Sequence, residues 1–455
     1  MDNDHKYQLD FIDHPVVPRD RRDGRFLDVV ETHFLSSDGY LIKSNPEITP
    51  LWVSHREPGK LDLASYFKDK IYSNHHNPDH VALNYKICNY GNPKNTLINT
   101  VYEEKKLFAV DIPERMLETP IWSTWAKFKT QVNESVVLNY ASDIKQHYTR
   151  CSKNNCGQME IDDKWQTDYG DVEFDLVKFP DPKGFVDKLH DDGFTVTVWT
   201  TPFINKESKY YKTAKDASYF VNDNRDRAQT TKWWQCPMSI NPMERNCASM
   251  IDFTNPSAFT FQTDRFNSLI ETSGIDGFKF DAGEIEFLQD DWRLFDKTIW
   301  NSAEYNTEYA KFCAQYGGIG EVRAAWQLQK VYPGWIRMLD LWSQWGPENG
   351  LRSVIPKALT FTIAGYPWVM PDMVGGNVGG AIEEDGRLPS KELYIRWLEL
   401  ANFLPVVQYS IVPWDFDDEH VISMTRWQIY GIEMSNRYSF GQNLTSPYLQ
   451  TYDVT

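Results

Sequence analysis

Two textures of hydrophobic and polar positions divide the chain. Over residues 25–112, short apolar stretches are broken by turn residues such as Asp38-Gly39 and Gly91-Asn92-Pro93. That texture predicts short strands forming part of a β-sandwich, with a helix only over 61–70. From Pro113 the texture changes: apolar runs of strand length alternate with longer helical patterns, the signature of repeated βα units. Strands are predicted over 121–125, 158–162, 194–202, 277–281, 318–323, 337–341, 365–371 and 404–408. Helices are predicted over 182–191, 256–272, 349–362 and 391–403. This alternation predicts an α/β fold with a (β/α)8 TIM barrel over 113–427, preceded by the partial β-sandwich.

The remaining segments have no such regularity. Residues 1–24 are polar, carry the basic cluster Arg19-Asp20-Arg21-Arg22, and read as a flexible arm. The stretch 205–252 is long, irregular and Trp-containing, and reads as an insertion over the barrel mouth. Residues 428–455 read as an irregular tail. No internal repeat and no low-complexity segment is evident.

Composition narrows the partners. With 47 Lys+Arg against 64 Asp+Glu, the formal charge of −17 disfavours nucleic acid and anionic membranes. A neutral or cationic substrate fits better. Aromatic residues reach 15%, including 17 Trp. Most belong in a core, and some suit the C–H faces of sugar rings. None of the six cysteines has C-x-x-C spacing. Cys151 with Cys156, and Cys236 with Cys247, could each close a short surface loop, or all four could be isolated thiols. Sequons begin at Asn133 and Asn443. No signal peptide and no apolar run near 18 residues is found.

The chemistry is read from what stands at the strand ends. In Gly277-Phe278-Lys279-Phe280-Asp281-Ala282-Gly283-Glu284 a run uncharged except for Lys279 ends in a carboxylate. It reads as a buried parallel strand projecting an acid from the sheet's carboxyl end, where β/α barrels carry their chemistry. Asp162, Asp163, Asp340 and Asp372 stand at other strand ends. Such a cluster could hold a hard cation, or cleave a glycosidic bond with two carboxylates. His is scarce at strand ends, no Gly-x-Ser-x-Gly elbow occurs, and no phosphate loop is present.

The nucleophile segment just quoted resembles that of glycoside hydrolase family 31. Met159-Glu160-Ile161-Asp162-Asp163-Lys164-Trp165 resembles that family's second strand, and Trp199-Thr200-Thr201-Pro202 its third. Asp340, with Trp345 five residues on, is similar to the acid/base segment. Pro371-Asp372-Met373-Val374-Gly375-Gly376-Asn377 resembles the Asp-Ile-Gly-Gly segment. Within the family the chain is most like the α-galactosidase-like branch of the myogenesis-regulating glycosidase. It has Lys279 where the α-glucosidase branch has Trp, and Gln408 and Ser410 where most members have an Arg-x-His pair.

The resemblance implies a retaining hydrolase that removes a terminal α-linked sugar, α-galactose foremost, from an oligosaccharide or glycoconjugate. The alternatives are an α-glucosidase or α-xylosidase, or a truncated, catalytically silent carbohydrate-binding protein. Asp281 is the implied nucleophile and Asp340 the acid/base, with carboxyls about 5 to 5.5 Å apart and Asp340 in a less polar setting. Asp162, Asp163, Trp199, Lys279, Arg323, Arg337, Asp372 and Trp414 are the implied substrate-binding residues, and Trp234 and Trp326 further candidates for pocket walls. Glu284 is expected to support the nucleophile loop. No metal or cofactor is required, and self-association is left open. The resemblance and the sequons imply the secretory pathway, in the endoplasmic reticulum lumen or beyond, with the anchoring segment outside this chain. Family members continue into β-rich C-terminal domains, so a truncated or alternatively ended form with an uncovered apolar flank is expected.

Overall fold

The computed structural model describes residues 14–15, 29–44, 51–57, 60–65, 82–103, 112–237, 245–326, 334–338, 340–347, 349–366, 368–378, 388–416, 418–419 and 421–423. Most of the N-terminal arm, the Asn443 sequon and the C-terminal tail lie outside them.

Eight parallel strands form the barrel: β1 (Ile121–Ser123), β2 (Gly157–Ile161), β3 (Phe194–Thr200), β4 (Gly277–Phe280), β5 (Glu321–Val322), β6 (Trp335–Arg337), β7 (Val369–Met370) and β8 (Gln408–Tyr409). They pair in the order β7-β6-β5-β4-β3-β2-β1-β8. A parallel bridge between Met373 and Gln408, just past β7, brings the two ends of this sheet together. All eight coincide or overlap with predicted strands. β6 lies earlier than 337–341, because after Met338 donates to the Met370 carbonyl (2.8 Å) the ladder ends and side chains take over.

The main helices of the barrel are α1 (Glu134–His147), α2 (Pro182–Asp191), α3 (Pro256–Ser273), α4 (Glu304–Cys313), α5 (Leu351–Ile363) and α6 (Lys391–Ala401). Their starts are written locally. Asn133, Asp181, Asn255 and Ser390 each cap an N-terminus through the side chain, with Pro leading α2 and α3. Gly274, left-handed at φ 80°, ends α3 and turns the chain into β4. Along α5, Ile355, Leu359 and Ile363 leave an apolar stripe exposed.

The N-terminal region is β-rich, with two three-stranded antiparallel sheets. One contains His33–Leu35, Tyr40–Ser44 and Tyr85–Asn89, the other His14–Pro15, Leu51–Glu57 and Lys60–Ser65. The helix predicted over 61–70 is therefore corrected where the structure describes it. Leu61 and Leu63 alternate with Asp62 and Ala64, a period of two, and the partner strand fixes that register. A helical segment appears instead at Pro93–Leu97, continuing through Ile98–Tyr102. Its signal was the Asn92-Pro93 pair, since Asn92 caps it. Val29–Val30 pairs with Ala325–Trp326 and ties this region to the barrel.

Both short-range cysteine pairs are disulfides, Cys151–Cys156 and Cys236–Cys247. The second pair is buried, not on a surface loop.

Candidate active site

Inward positions of the even strands, where barrels ordinarily stack branched aliphatics, are charged or polar here. Glu160 of β2, Lys279 of β4, Arg337 of β6 and Gln408 of β8 are all buried, as is Glu321 of β5. Lys279 Nζ donates to Glu160 Oε1 (2.9 Å) and to Asp162 Oδ2 (2.8 Å). Burial opposes the charge on Lys279, but Asp162, Glu160 and Glu321 outweigh it and hold the ammonium well above its ordinary range. Gln408 Nε2 donates to Glu160 Oε1 at 3.1 Å. Arg337 Nε lies 3.1 Å from Glu321 Oε1. The layer forms a polar floor in which Gln408 Oε1 and both Glu321 oxygens make no hydrogen bond, Glu321 being held by the Arg337 ion pair.

Asp281 stands directly above. Its backbone N–H donates to the Thr200 carbonyl at 2.8 Å, one more rung of the β3–β4 ladder. Oδ1 lies 2.8 Å from Arg337 Nη2 and 3.3 Å from Arg323 Nη1, and Oδ2 accepts from Trp199 Nε1 at 3.0 Å. Burial would raise its pKa, but Arg323, Arg337, Lys279 and the Trp199 donor together hold it well below the usual carboxylate range. The small residues that follow are required by the turn. Ala282 and Gly283 have φ of 62° and 104°, and a Cβ on Gly283 would meet the Tyr309 ring at 2.9 Å. Tyr309 in turn donates to the Asp281 carbonyl at 3.1 Å. Glu284 is fully buried against Arg323 Nε, as a support of this loop would be.

Arg337 also reaches the second proposed catalytic acid. Its Nη1 donates to Asp340 Oδ1 at 3.0 Å, so one guanidinium touches both carboxylates. The surroundings of Asp340 differ from the less polar setting expected: its side chain is 31% exposed and paired with a cation. Around it, Asn349 donates to the Asp340 carbonyl (2.6 Å), and Asp372 Oδ2 accepts from Leu341 N–H (2.8 Å). Asp372 is fully buried, and burial pushes its carboxyl up to about 6 against the pull of Arg337. Gly376 lets the next segment approach, since a Cβ there would lie 2.7 Å from the Ser343 nitrogen.

Asp162 and Asp163 divide their work. Asp162 receives Lys279 and, through Oδ1, the Asp163 N–H (2.8 Å). Asp163 accepts from Tyr169 Oη at Oδ1 (2.8 Å) and from Gln235 Nε2 at Oδ2. Burial raises its carboxyl to about 7 against the Tyr169 donor, with Asp162 and Asp281 adding to the rise.

The tryptophans separate. Trp199 is buried and orients Asp281. Trp234 is 40% exposed and lies over the Arg323 guanidinium, 4.8 Å from its ring centroid. Trp326 is buried in the contact with the N-terminal region. Trp414 is not brought to the cluster: its indole donates to Asp143 of α1 at 2.6 Å and stacks on His147 at 4.9 Å. Nine of the ten sequence-selected site residues thus converge, and Trp414 does not. Glu160, Glu321, Tyr169, Gln235 and Tyr309 were not selected. Glu160 and Glu321 had a signal, each lying two residues before a selected one on a strand whose faces alternate.

A model of the glycosyl hydrolases family 31 TIM-barrel domain matches residues 131–427. The mouse myogenesis-regulating glycosidase is 32% identical over 413 residues, covering 88% of this chain and 54% of the mouse protein. Alpha-xylosidase XylQ of Lactiplantibacillus pentosus is 27% identical over 327 residues, covering 66% of this chain and 39% of that enzyme. The chain thus spans about half or less of the length of these relatives. The fold of a Flavobacterium johnsoniae GH31 dextranase complexed with isomaltotriose superposes with a TM-score of 0.71 at 16% identity, covering 94% of this chain and 52% of the dextranase. The match over most of the barrel, in a chain with this topology, leads to one conclusion: the chain belongs to glycosyl hydrolase family 31.

Proposed function

We propose that this chain carries the catalytic barrel of a retaining glycosidase that removes terminal α-linked sugars, α-galactose foremost. The observation that carries the reading is the single Arg337 guanidinium bonded to both Asp281 and Asp340. Two carboxyls gathered on one cation suit the short separation of about 5 to 5.5 Å that retention requires.

In the first step an Asp281 oxygen attacks the anomeric carbon as the glycosidic C–O bond breaks, and Asp340 gives its proton to the departing oxygen. In the second, water attacks the same carbon, Asp340 takes the water's proton, and the bond to Asp281 breaks. Depressed basicity makes Asp281 a weaker nucleophile but a better leaving group in the second step. Charge developing on the sugar ring is met by an anion whose own charge is fixed by Arg323 and Arg337. Asp163 accepts a sugar hydroxyl, Lys279 and Asp162 line the floor beneath it, and Trp234 offers an exposed ring at the rim.

Galactose is favoured over glucose by the residues at and below the nucleophile. Lys279 stands in place of Trp, and Gln408 and Ser410 in place of the Arg-x-His pair, so a buried polar layer lies beneath the site and suits an axial hydroxyl above it. The α-xylosidase similarity keeps xylose as the second reading. We place the protein in the secretory pathway, an environment compatible with two disulfides and with the acceptor sequon at Asn133.

The test is covalent trapping. Incubation with an activated fluoro-galactosyl donor, proteolysis and mass spectrometry are expected to find the sugar on the peptide containing Asp281. Label on another carboxylate, or inverted product stereochemistry by NMR, would overturn the mechanism.

A further inference from the structure

Three consecutive residues, Trp233, Trp234 and Gln235, each touch a different part of the cluster. Trp233 is buried and stacks on Trp199, with centroids 6.2 Å apart and planes at 10°. Trp234 covers Arg323. Gln235 donates to Asp163 Oδ2 from the side opposite Tyr169. The Cys236 N–H donates to the Trp233 carbonyl at 3.1 Å, so Trp234 and Gln235 are the two central residues of a tight turn.

That turn is pinned at both ends to the same small sheet. At its start, Trp233 Nε1 donates to Asn205 Oδ1 at 2.8 Å, and Asn205 ends the strand Phe203–Asn205. At its finish, Cys236 is bonded to Cys247, the residue before the strand Ala248–Met250. Those two strands pair with each other, and the Cys247 carbonyl accepts from Lys206 N–H at 2.8 Å. Both cysteines are buried, so the bond acts as a fixed clamp and not as an exposed thiol switch.

We propose that Gln235 is a positioning residue for sugar recognition, acting through Asp163, and that the Cys236–Cys247 disulfide is the clamp that holds it there. A carboxylate meant to accept a sugar hydroxyl must present a fixed lone pair. Tyr169, from the loop after β2, holds one Asp163 oxygen. Gln235, from the β3–β4 insertion, holds the other. A Gln side chain is flexible enough to lose this contact unless its backbone is fixed, and the clamp fixes it. The inference rests on the reading of Asp163 as a hydroxyl acceptor.

The test compares wild type, Gln235→Ala, Gln235→Glu and the Cys236→Ser/Cys247→Ser pair, with Cys151→Ser/Cys156→Ser as control. KM and kcat are measured on 4-nitrophenyl α-galactoside, and galactose binding by tryptophan fluorescence. Losing the Gln235 bond is expected to raise KM about tenfold with kcat changed less than about twofold, the scale of one hydrogen bond to a charged group. The Cys236/Cys247 pair follows, and the control behaves as wild type. Gln235→Glu sets two carboxyls against each other, so the ratio of its KM to the wild-type KM at the same pH is expected to fall as pH falls from 8 to 5, which a merely structural role would not produce. An active wild type whose KM is unchanged in Gln235→Ala overturns the inference and leaves the proposed function standing. An inactive wild type that binds galactose about tenfold more tightly than the variants supports the inference and sinks the hydrolytic reading. If wild type neither hydrolyses nor binds, or binds no better than the variants, the inference is wrong. A Ser pair that does not fold leaves the decision to the two Gln235 variants.

Discussion

Arg337 meets Asp281 at 2.8 Å, between side chains only 2% and 9% exposed. With so little water to screen it, this pair joins Arg323 in holding the nucleophile ionised. Arg337 also spans to Asp340, Glu321 and Asp372, so its removal strips four carboxyls of a partner at once. Arg337→Met is expected to lower kcat/KM by about 100-fold or more and to cost about 3–5 kcal/mol of stability. Arg337→Lys cannot reproduce the fork and should recover only part of either. Steady-state kinetics and thermal melts on the purified variants check both effects.

Lys279 is the counter-ion of the polar floor. Lys279→Met leaves Glu160 and Asp162 buried without it, an expected loss of about 3–5 kcal/mol, read as a large drop in Tm. The double change Lys279→Met with Glu160→Leu should restore part of the loss, because one uncompensated charge is gone. A chemical-denaturation series on the four proteins measures the coupling.

Asp163 and Asp372 titrate upwards, to about 7 and about 6, both because of burial. A carboxyl raised in the folded chain contributes stability that is fully present below its unfolded value of about 4 and is lost as pH rises through the folded value. Asp281 is lowered, so its contribution is present above about 4 and is lost only as pH falls towards its folded value. The activity follows the same groups. Asp163 accepts a hydroxyl best when ionised, so KM is expected to improve through an inflection near pH 7, and Asp163→Asn should abolish that inflection. Asp281 stays ionised throughout and contributes no limb to the profile from pH 5 to 8. KM and kcat measured at half-unit steps over that range decide the matter.

Gly283→Ala places a methyl 2.9 Å from Tyr309 at a φ of 104°. The turn would have to move, carrying the Asp281 carbonyl that Tyr309 holds. An expected cost of about 1–3 kcal/mol should come with a fall in kcat larger than any rise in KM. Tyr309→Phe, which relieves no clash, should not rescue it, whereas Tyr309→Ala should rescue part of the stability.

The barrel and the strand-end acids were legible because both are local signals. Asp281 ends a short run uncharged except for Lys279, and Asn255-Pro256 and Gly274 mark where α3 begins and ends. The polar floor was only half legible: Lys279 was visible two residues before Asp281, but its partners Glu160 and Glu321 come from other strands, and only closure brings them together. Trp199 and Trp414 read alike as candidate pocket walls, yet one orients the nucleophile and the other packs against α1. Composition does not distinguish them, because what separates them is the partner each indole meets in the folded chain, Asp281 for one and Asp143 for the other. Gln235 gave no sign at all, since its role depends on a tight turn that the Cys236–Cys247 disulfide and the Trp233–Asn205 bond hold in place.

The central claim is that Asp281 is the nucleophile of an enzyme that prefers α-galactosides. The most direct measurement is hydrolysis of 4-nitrophenyl α-galactoside against the α-glucoside and α-xyloside, with Asp281→Ala alongside. Turnover of the galactoside well above the other two, abolished in a folded Asp281→Ala protein, is the expected result. Preferential turnover of the glucoside or xyloside would contradict the sugar assignment, and activity surviving in Asp281→Ala would contradict the nucleophile.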